Sequence, residues 1–272
     1  MHELEFYLRA WCLKPDGEPF ETHTATLLPV TSPQGPAMLK YAGALEEEFG
    51  FDLLEAWNGN GAARILARKG AVVLMERATG SRSLGRMATA GADKAATTIL
   101  CNTARRLHAG PDVPPARLIP LDRWFAALEP AADRHGGLFS TAHRFSRSLI
   151  ATSQDVLPLH GDLHHENVLD FGERGFLAID PKGLIGERYF EYCCLFTNPD
   201  MADPDIAIAR APERFAARLQ AVCEGANLDP MRLLQWLVAW CGLSAVWFTG
   251  EDAQRTRIDL DIAAMALGQL QN

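Results

Sequence analysis

Short apolar runs mark the first third of the chain, and helical periodicity marks the remainder. Residues 25–30 and 37–41 are apolar stretches of strand length, separated by the turn formers Thr31, Ser32, Pro33, Gln34, Gly35 and Pro36. Residues 43–57 carry helical spacing, which Asn58, Gly59, Asn60 and Gly61 bring to an end. Residues 63–67 and 71–75 read as two further strands around Arg68, Lys69 and Gly70. Strand, strand, helix, strand, strand predicts a small antiparallel sheet with one helix packed against it.

After Gly80 the pattern predicts helices over 92–108, 121–135, 138–152, 212–225, 229–248 and 253–270. The last but one opens on Asp229 and Pro230, an N-cap followed by proline at the first helical position. One non-helical stretch, 156–180, interrupts the series. In it, two apolar runs beginning at Val168 and Phe176 flank Gly172, Glu173, Arg174 and Gly175, which reads as a β-hairpin. With Phe171 opposite Phe176, Asn167 falls opposite Asp180 at the open end of the ribbon, and Asp162 lies in the loop that feeds it.

Composition narrows the field without choosing a function. At 272 residues the chain can bury a sizeable core, with 48% hydrophobic and 22% charged residues. The net charge is −8 and the isoelectric point near 5.5, which argues against a nucleic-acid partner and suits a cationic one. Six cysteines without a C-x-x-C spacing fit reduced thiols in a cytoplasm. Glu3 and Glu5 stand where a secretory signal needs basic residues. No uninterrupted apolar run reaches about 18 residues, so no membrane span is expected.

Residues 160–167 read His-Gly-Asp-Leu-His-His-Glu-Asn, and an apolar strand ending in Asp180 follows. An amide and a carboxylate at a hairpin mouth can hold Mg²⁺, which favours a few oxygen ligands and keeps its waters. A further carboxylate in the adjacent loop can orient and deprotonate a hydroxyl. This is the equipment of phosphoryl transfer, and the order H-G-D-x-x-x-x-N then Asp matches the kinase pattern. Zinc on His160, His164 and His165 would need a helix to align the first two, and Gly161 with the strand beyond opposes one. No G-x-S-x-G elbow supports serine catalysis.

Residues 160–167 and the run Ile179, Asp180, Pro181, Lys182, Gly183, Leu184, Ile185, Gly186, Glu187 resemble the aminoglycoside phosphotransferase family, in its streptomycin 6-kinase and hydroxyurea-resistance kinase branch. Weaker likenesses lie at 57–66 and 243–247. The resemblance implies an α+β, protein-kinase-like two-lobe fold, with a nucleotide-binding lobe over 1–78 and a larger, mainly helical lobe over 79–272. It implies Asp162 as base, Asn167 and Asp180 as Mg²⁺ ligands, and Lys40 on the ATP phosphates. The lysine's helix partner is one of Glu46, Glu47 and Glu48, and the register of the resemblance favours Glu47. Backbone groups of Glu76 and Ala78 would meet the adenine edge. No G-x-G-x-x-G precedes Lys40; Thr22, His23, Thr24, Ala25 and Thr26 stand in its place.

The expected reaction moves the γ-phosphate of ATP to a hydroxyl of a small molecule. An aminoglycoside such as streptomycin comes first, with hydroxyurea, a sugar or an amino alcohol as alternative acceptors and a non-catalytic nucleotide-binding module as the third reading. Glu187 and Glu191, one helical turn apart, are candidate walls for a cationic acceptor, as are Trp236, Trp240 and Trp247.

Overall fold

The computed structural model describes residues 2–22, 24–43, 45–110 and 114–271. Its small lobe comprises α1 (His2–Ala10), β1 (Lys14–Pro15), β2 (Phe20–Glu21), β3 (Ala25–Ser32), β4 (Gly35–Ala42), α2 (Leu45–Trp57), β5 (Ile65–Lys69) and β6 (Val72–Glu76). The strands form one antiparallel sheet in the order β1-β3-β4-β6-β5, with β2 paired to β3. Alternation gives the sheet two buried faces. Leu28, Val30, Ala37, Leu39, Val72 and Leu74 share one core with Leu13, under Tyr7, Leu8 and Trp11. The opposite face carries Ala42, Val73 and Met75 against Phe51, Leu54 and Trp57 of α2. Lys40 is out of step with Leu39 and so belongs to the face that meets α2. The sheet thus has a second cover, α1, that nine residues of mixed polarity do not announce.

Past the hinge lie α3 (Leu84–Met87), α4 (Asp93–His108), β7 (Ile119–Pro120), α5 (Leu121–Trp124), α6 (Leu128–His135) and α7 (Gly137–Ala151). The helix predicted over 121–135 is therefore two pieces. Pro130 has no N–H to give residue 126, so the helical ladder cannot run through and restarts at Leu128. Four strands follow, β8 (Val156–Leu159), β9 (Val168–Asp170), β10 (Phe176–Ala178) and β11 (Leu184–Glu187), and then α8 (Cys193–Thr197), α9 (Pro212–Ala226), α10 (Pro230–Phe248) and α11 (Ala253–Leu270). α10 is long and apolar enough to cross a bilayer by length and composition, but it is packed between α7 and α11, with Leu233 to Ala245 mostly buried.

Two small sheets position the loops between the lobes. β11 runs antiparallel to β8 and parallel to β7, which brings residues 160–162 beside 181–183; the Lys182 N–H donates to the His160 carbonyl at 2.7 Å. β9 and β10 pair with Asp170 opposite Phe176 and Val168 opposite Ala178. This corrects the predicted register by one residue. Phe171 leaves the strand, its N–H closing onto the Gly175 carbonyl at 2.8 Å, and Gly172 and Gly175 take left-handed φ values of 64° and 74°. Asn167 consequently pairs with Ile179, whose N–H it accepts at 2.9 Å, and Asp180 lies beyond the ladder.

Across the large lobe, one ion pair fastens α9 to the start of α4. Arg218, 1% exposed, donates to Asp93 at 2.6 Å and to the carbonyls of Leu195 and Asn198 at 3.0 and 2.6 Å. Removing one partner of a buried pair strands the other. Arg218→Ala is expected to lower unfolding free energy by about 3–5 kcal/mol in urea denaturation; a loss below ~1 kcal/mol would show that the pair does not hold these helices.

Candidate active site

The loop after β8 is held by a buried imidazole. His160 is fully buried, with one ring face stacked near Trp57 at 6.4 Å. Its Nε2 lies 2.7 Å from the Ile179 carbonyl and its Nδ1 accepts the Asp162 N–H at 3.3 Å, so the proton resides on Nε2. Burial holds this ring below the usual histidine range, despite the Glu191 and Asp162 carboxylates, and so keeps it neutral. Gly161 takes φ 79° between them, and a Cβ there would meet Leu184 Cδ1 at 2.6 Å.

Asp162 points into a cavity from this loop. Its Oδ2 accepts from Asn167 Nδ2 at 3.2 Å and lies 3.6 Å from Lys182 Nζ. Its Oδ1 faces His164 Nε2 and the Cys194 thiol, each at 3.6 Å. Burial alone would raise this carboxyl, but His164, Lys182, His160 and the thiol together hold it below the usual carboxylate range. It is therefore an ionised acceptor at neutral pH, able to take a proton from a hydroxyl.

The second half of the site spans the lobes. Lys40, 2% exposed, reaches Glu47 Oε2 at 2.5 Å and Asp180 Oδ1 at 3.0 Å. Of the three glutamates, Glu47 is thus the one described on Lys40; Glu48 uses its carbonyl to accept from Arg68, and the side chain of Glu46 lies outside the described residues. Asp180 has φ 57°, a left-handed backbone that Asp tolerates better than most residues, and this bend delivers its carboxylate to Lys40. Asn167 Nδ2 is spent on Asp162, at its carbonyl (2.9 Å) and its carboxylate, which leaves Oδ1 as an oxygen donor. An amide oxygen and a carboxylate suit a hard cation such as Mg²⁺ that completes its shell with water and phosphate. Among the described residues no three His, Cys, Asp or Glu side chains converge as metal ligands.

Near the hinge, the Glu76 N–H donates to the Arg64 carbonyl, while its carboxylate pairs with Arg174 and Arg64. No hydrogen bond among the described residues uses the Ala78 backbone. Thr22 and Thr24 stand between β2 and β3, and the Thr22 hydroxyl donates to the Ala25 carbonyl at 3.2 Å. The Thr24 hydroxyl donates to Glu47 Oε1 at 3.0 Å, and His23 lies outside the described residues.

Glu187 and Glu191 are not on the cavity wall, and the expectation that they hold the acceptor is corrected. Glu187, fully buried at the end of β11, binds Arg232 at 2.5 and 2.7 Å and accepts the Trp236 indole N–H at 3.1 Å. Glu191, 1% exposed, accepts the backbone N–H groups of His160 and Gly161 at 2.8 and 2.9 Å and faces His108. Burial would raise the Glu191 carboxyl, yet His108, His160 and the Gly161 N–H hold it below its usual range. Trp236 is buried too. Trp240 and Trp247, in edge contact at 5.5 Å, do reach the cavity.

That cavity, about 890 Å³, is lined by Glu47, Asp162 and Lys182 and also by Trp124, Trp247 and Glu251. A smaller recess lined by Cys194 and Asn198 shares Asp162, Trp240 and Trp247 with it. Lys182 and Trp124 carried no sequence signal as site residues. Lys182 fills a position the family motif leaves open, and Trp124 sits in a helix read as amphipathic packing.

Residues 10–252 match the family model described as aminoglycoside/hydroxyurea antibiotic resistance kinase. A streptomycin 3''-kinase of Klebsiella pneumoniae is 48% identical over 262 residues, covering 95% of this chain and 98% of the relative. A streptomycin 6-kinase of Streptomyces glaucescens is 31% identical over 280 residues, covering 98% and 87% respectively. Among solved structures, an aminoglycoside phosphotransferase in ternary complex with ADP and hygromycin B superposes with a TM-score of 0.67, at 10% identity over 97% of each chain, and so has the same fold.

The buried carboxylates yield a test that separates packing from substrate binding. Glu187→Gln is expected to cost about 1–3 kcal/mol of stability, since it leaves Arg232 without its charge partner, and to leave acceptor KM within about twofold in steady-state assays. An acceptor KM raised tenfold at unchanged melting temperature would return Glu187 to the pocket wall. For Glu191, the lowered folded-state carboxyl sets the sign: its stabilisation is full above the unfolded value near ~4.3 and is lost as pH falls through the folded value. Wild type should therefore lose stability more steeply below about pH 4.3 than Glu191→Gln, as read by thermal melts at pH 3–6.

Proposed function

Because this chain belongs to the aminoglycoside/hydroxyurea antibiotic resistance kinase family and is an ATP-dependent phosphotransferase acting on a small-molecule antibiotic hydroxyl, we propose that it phosphorylates streptomycin, at the 3''-hydroxyl. The observation that carries the reading is the ionised Asp162 at the head of an 890 Å³ cavity, beside the Lys40–Asp180 pair. The choice of hydroxyl follows the 48% identical relative over the 31% identical one.

On this reading residues 1–78 hold ATP and 79–272 supply the base and the acceptor pocket. The backbone of Glu76 and Ala78 meets adenine, and Lys40, oriented by Glu47, meets the phosphates. Asn167 Oδ1 and Asp180 hold Mg²⁺, which when bound offsets phosphate charge. Asp162 aligns the acceptor hydroxyl and takes its proton. A cytoplasmic workplace is consistent with the need for ATP.

A cationic acceptor finds its partners among the other residues that line the cavity. Asp252 is spent capping α11 and pairing with Arg255. Glu251 on the same rim enters no ion pair among those described, and Trp247, 40% exposed, offers an aromatic face to a guanidinium.

Incubation with ATP, Mg²⁺ and streptomycin is expected to give a monophosphorylated product, with the ester located by ³¹P–¹H correlation. Phosphorylation of hydroxyurea or neutral sugars with streptomycin untouched would sink the substrate assignment. Asp162→Asn should lower turnover about 10²–10⁴-fold at unchanged melting temperature; near-normal turnover would remove it as base. Glu251→Gln should raise the streptomycin KM but not the ATP KM, by a factor that shrinks as salt rises.

A further inference from the structure

We propose that Lys182 is a catalytic cation of this kinase, its ammonium bearing on the equatorial oxygens of the phosphoryl group as that group passes from ATP to the acceptor. The proposal rests on the reading of Asp162 as base.

The two buried-site lysines are used differently. Lys40 is out of water and commits two of its three N–H donors, to Glu47 at 2.5 Å and Asp180 at 3.0 Å. Lys182 is 29% exposed, lines the cavity, and stands 3.6 Å from Asp162 Oδ2 and 3.8 Å from Glu47 Oε1. Both distances exceed a full hydrogen bond, so the ammonium is held mainly by charge on two sides, with at most a weak donation to Asp162, and it borders the cavity. It is also the lysine beside the carboxylate that takes the proton, which puts it where the bond to the acceptor forms.

Its backbone is fixed from two directions. The Lys182 N–H donates to His160, in the loop that carries Asp162. On the other side α2 lies directly on residues 181–183. A Cβ at Gly50 would sit 1.9 Å from the Pro181 carbonyl oxygen, and one at Gly183 (φ 69°) 2.7 Å from Phe49. Two glycines thus set the lysine between Glu47 of one lobe and Asp162 of the other, and a donor that needs no rearrangement during reaction is the effective kind.

The chemistry has a vacancy for this charge. In phosphoryl transfer the acceptor oxygen bonds to the γ-phosphorus as its bond to the β,γ-bridging oxygen breaks. The hydroxyl proton passes to Asp162, and ADP departs with the bridging oxygen and its electron pair. Negative charge spreads over three equatorial oxygens meanwhile, next to Asp162, Asp180 and Glu47. The sequence over 22–26, Thr-His-Thr-Ala-Thr, offers no glycine-rich run to meet that charge. Lys182 meets it and keeps its own proton throughout.

Lys182→Met and Lys182→Ala are compared with wild type by streptomycin phosphorylation and by ATP hydrolysis to water, with melting temperatures alongside. The expected result is kcat lower by about 10²–10³-fold with both KM values within about threefold, and partial recovery of Lys182→Ala turnover on addition of methylammonium. Lys182→Arg should retain more turnover than either. Turnover within threefold of wild type in Lys182→Met overturns the proposal, as does a raised ATP KM at unchanged kcat. Lost turnover with a lowered melting temperature and no amine rescue marks a packing role and also overturns it. Asp162→Asn, run in parallel, isolates the premise: retained turnover there refutes the base and leaves the lysine result to be read on its own.

Discussion

An ammonium group withdrawn from water needs carboxylates, and Lys40 draws its two from opposite sides of the molecule. Glu47 comes from the helix packed under the small sheet, and Asp180 from the end of a ribbon in the large lobe. A Lys left buried without them would be strongly destabilising, so the pairing constrains how the lobes meet. The alternation of β4 turns Lys40 towards α2, the glycine contacts at 50 and 183 let α2 approach, and the left-handed bend at Asp180 closes the triad. Other site contacts continue outward from it: Glu47 to Thr24 and Lys182, Lys182 to Asp162, Asp162 to Asn167.

The candidate site is written in short spacings. Residues 160–167 and 179–187 carry Asp162, Asn167 and Asp180 within nineteen positions, and turn formers around them announce a loop and a ribbon. The α+β class was legible as well, from strand-length runs giving way to helical period, and the family resemblance implied its two lobes. The exact register of β9 and β10 was not. It depends on Phe171 joining the turn, which two glycines at left-handed φ permit and which apolar character alone argues against.

Burial was the other blind spot. Glu187 and Glu191 read as acidic residues beside a motif, but their partners, Arg232 and the amides of residues 160 and 161, become visible only when α10 and the loop are in place. The carboxylate of Glu191 holds the loop that presents Asp162, at one remove from the reacting atoms. Lys182 was illegible for the reverse reason: flanked by Pro181 and Gly183, it looks like a solvated turn residue until α2 is laid across it.

The lobes are also joined by more than the hinge. The Ala63 N–H donates to Ala178 and the Ala178 N–H to Gly61, both at 2.9 Å, so the small lobe adds a main-chain rung to the ribbon that bears Asp180. Arg174 reaches from the ribbon's turn to Glu76 and the Gly59 carbonyl. Covalent continuity through residues 77–81 is therefore one tether among several. A polypeptide opened at that point would still carry a hydrogen-bonded seam across the cleft, which makes the architecture suited to expression as two complementing fragments.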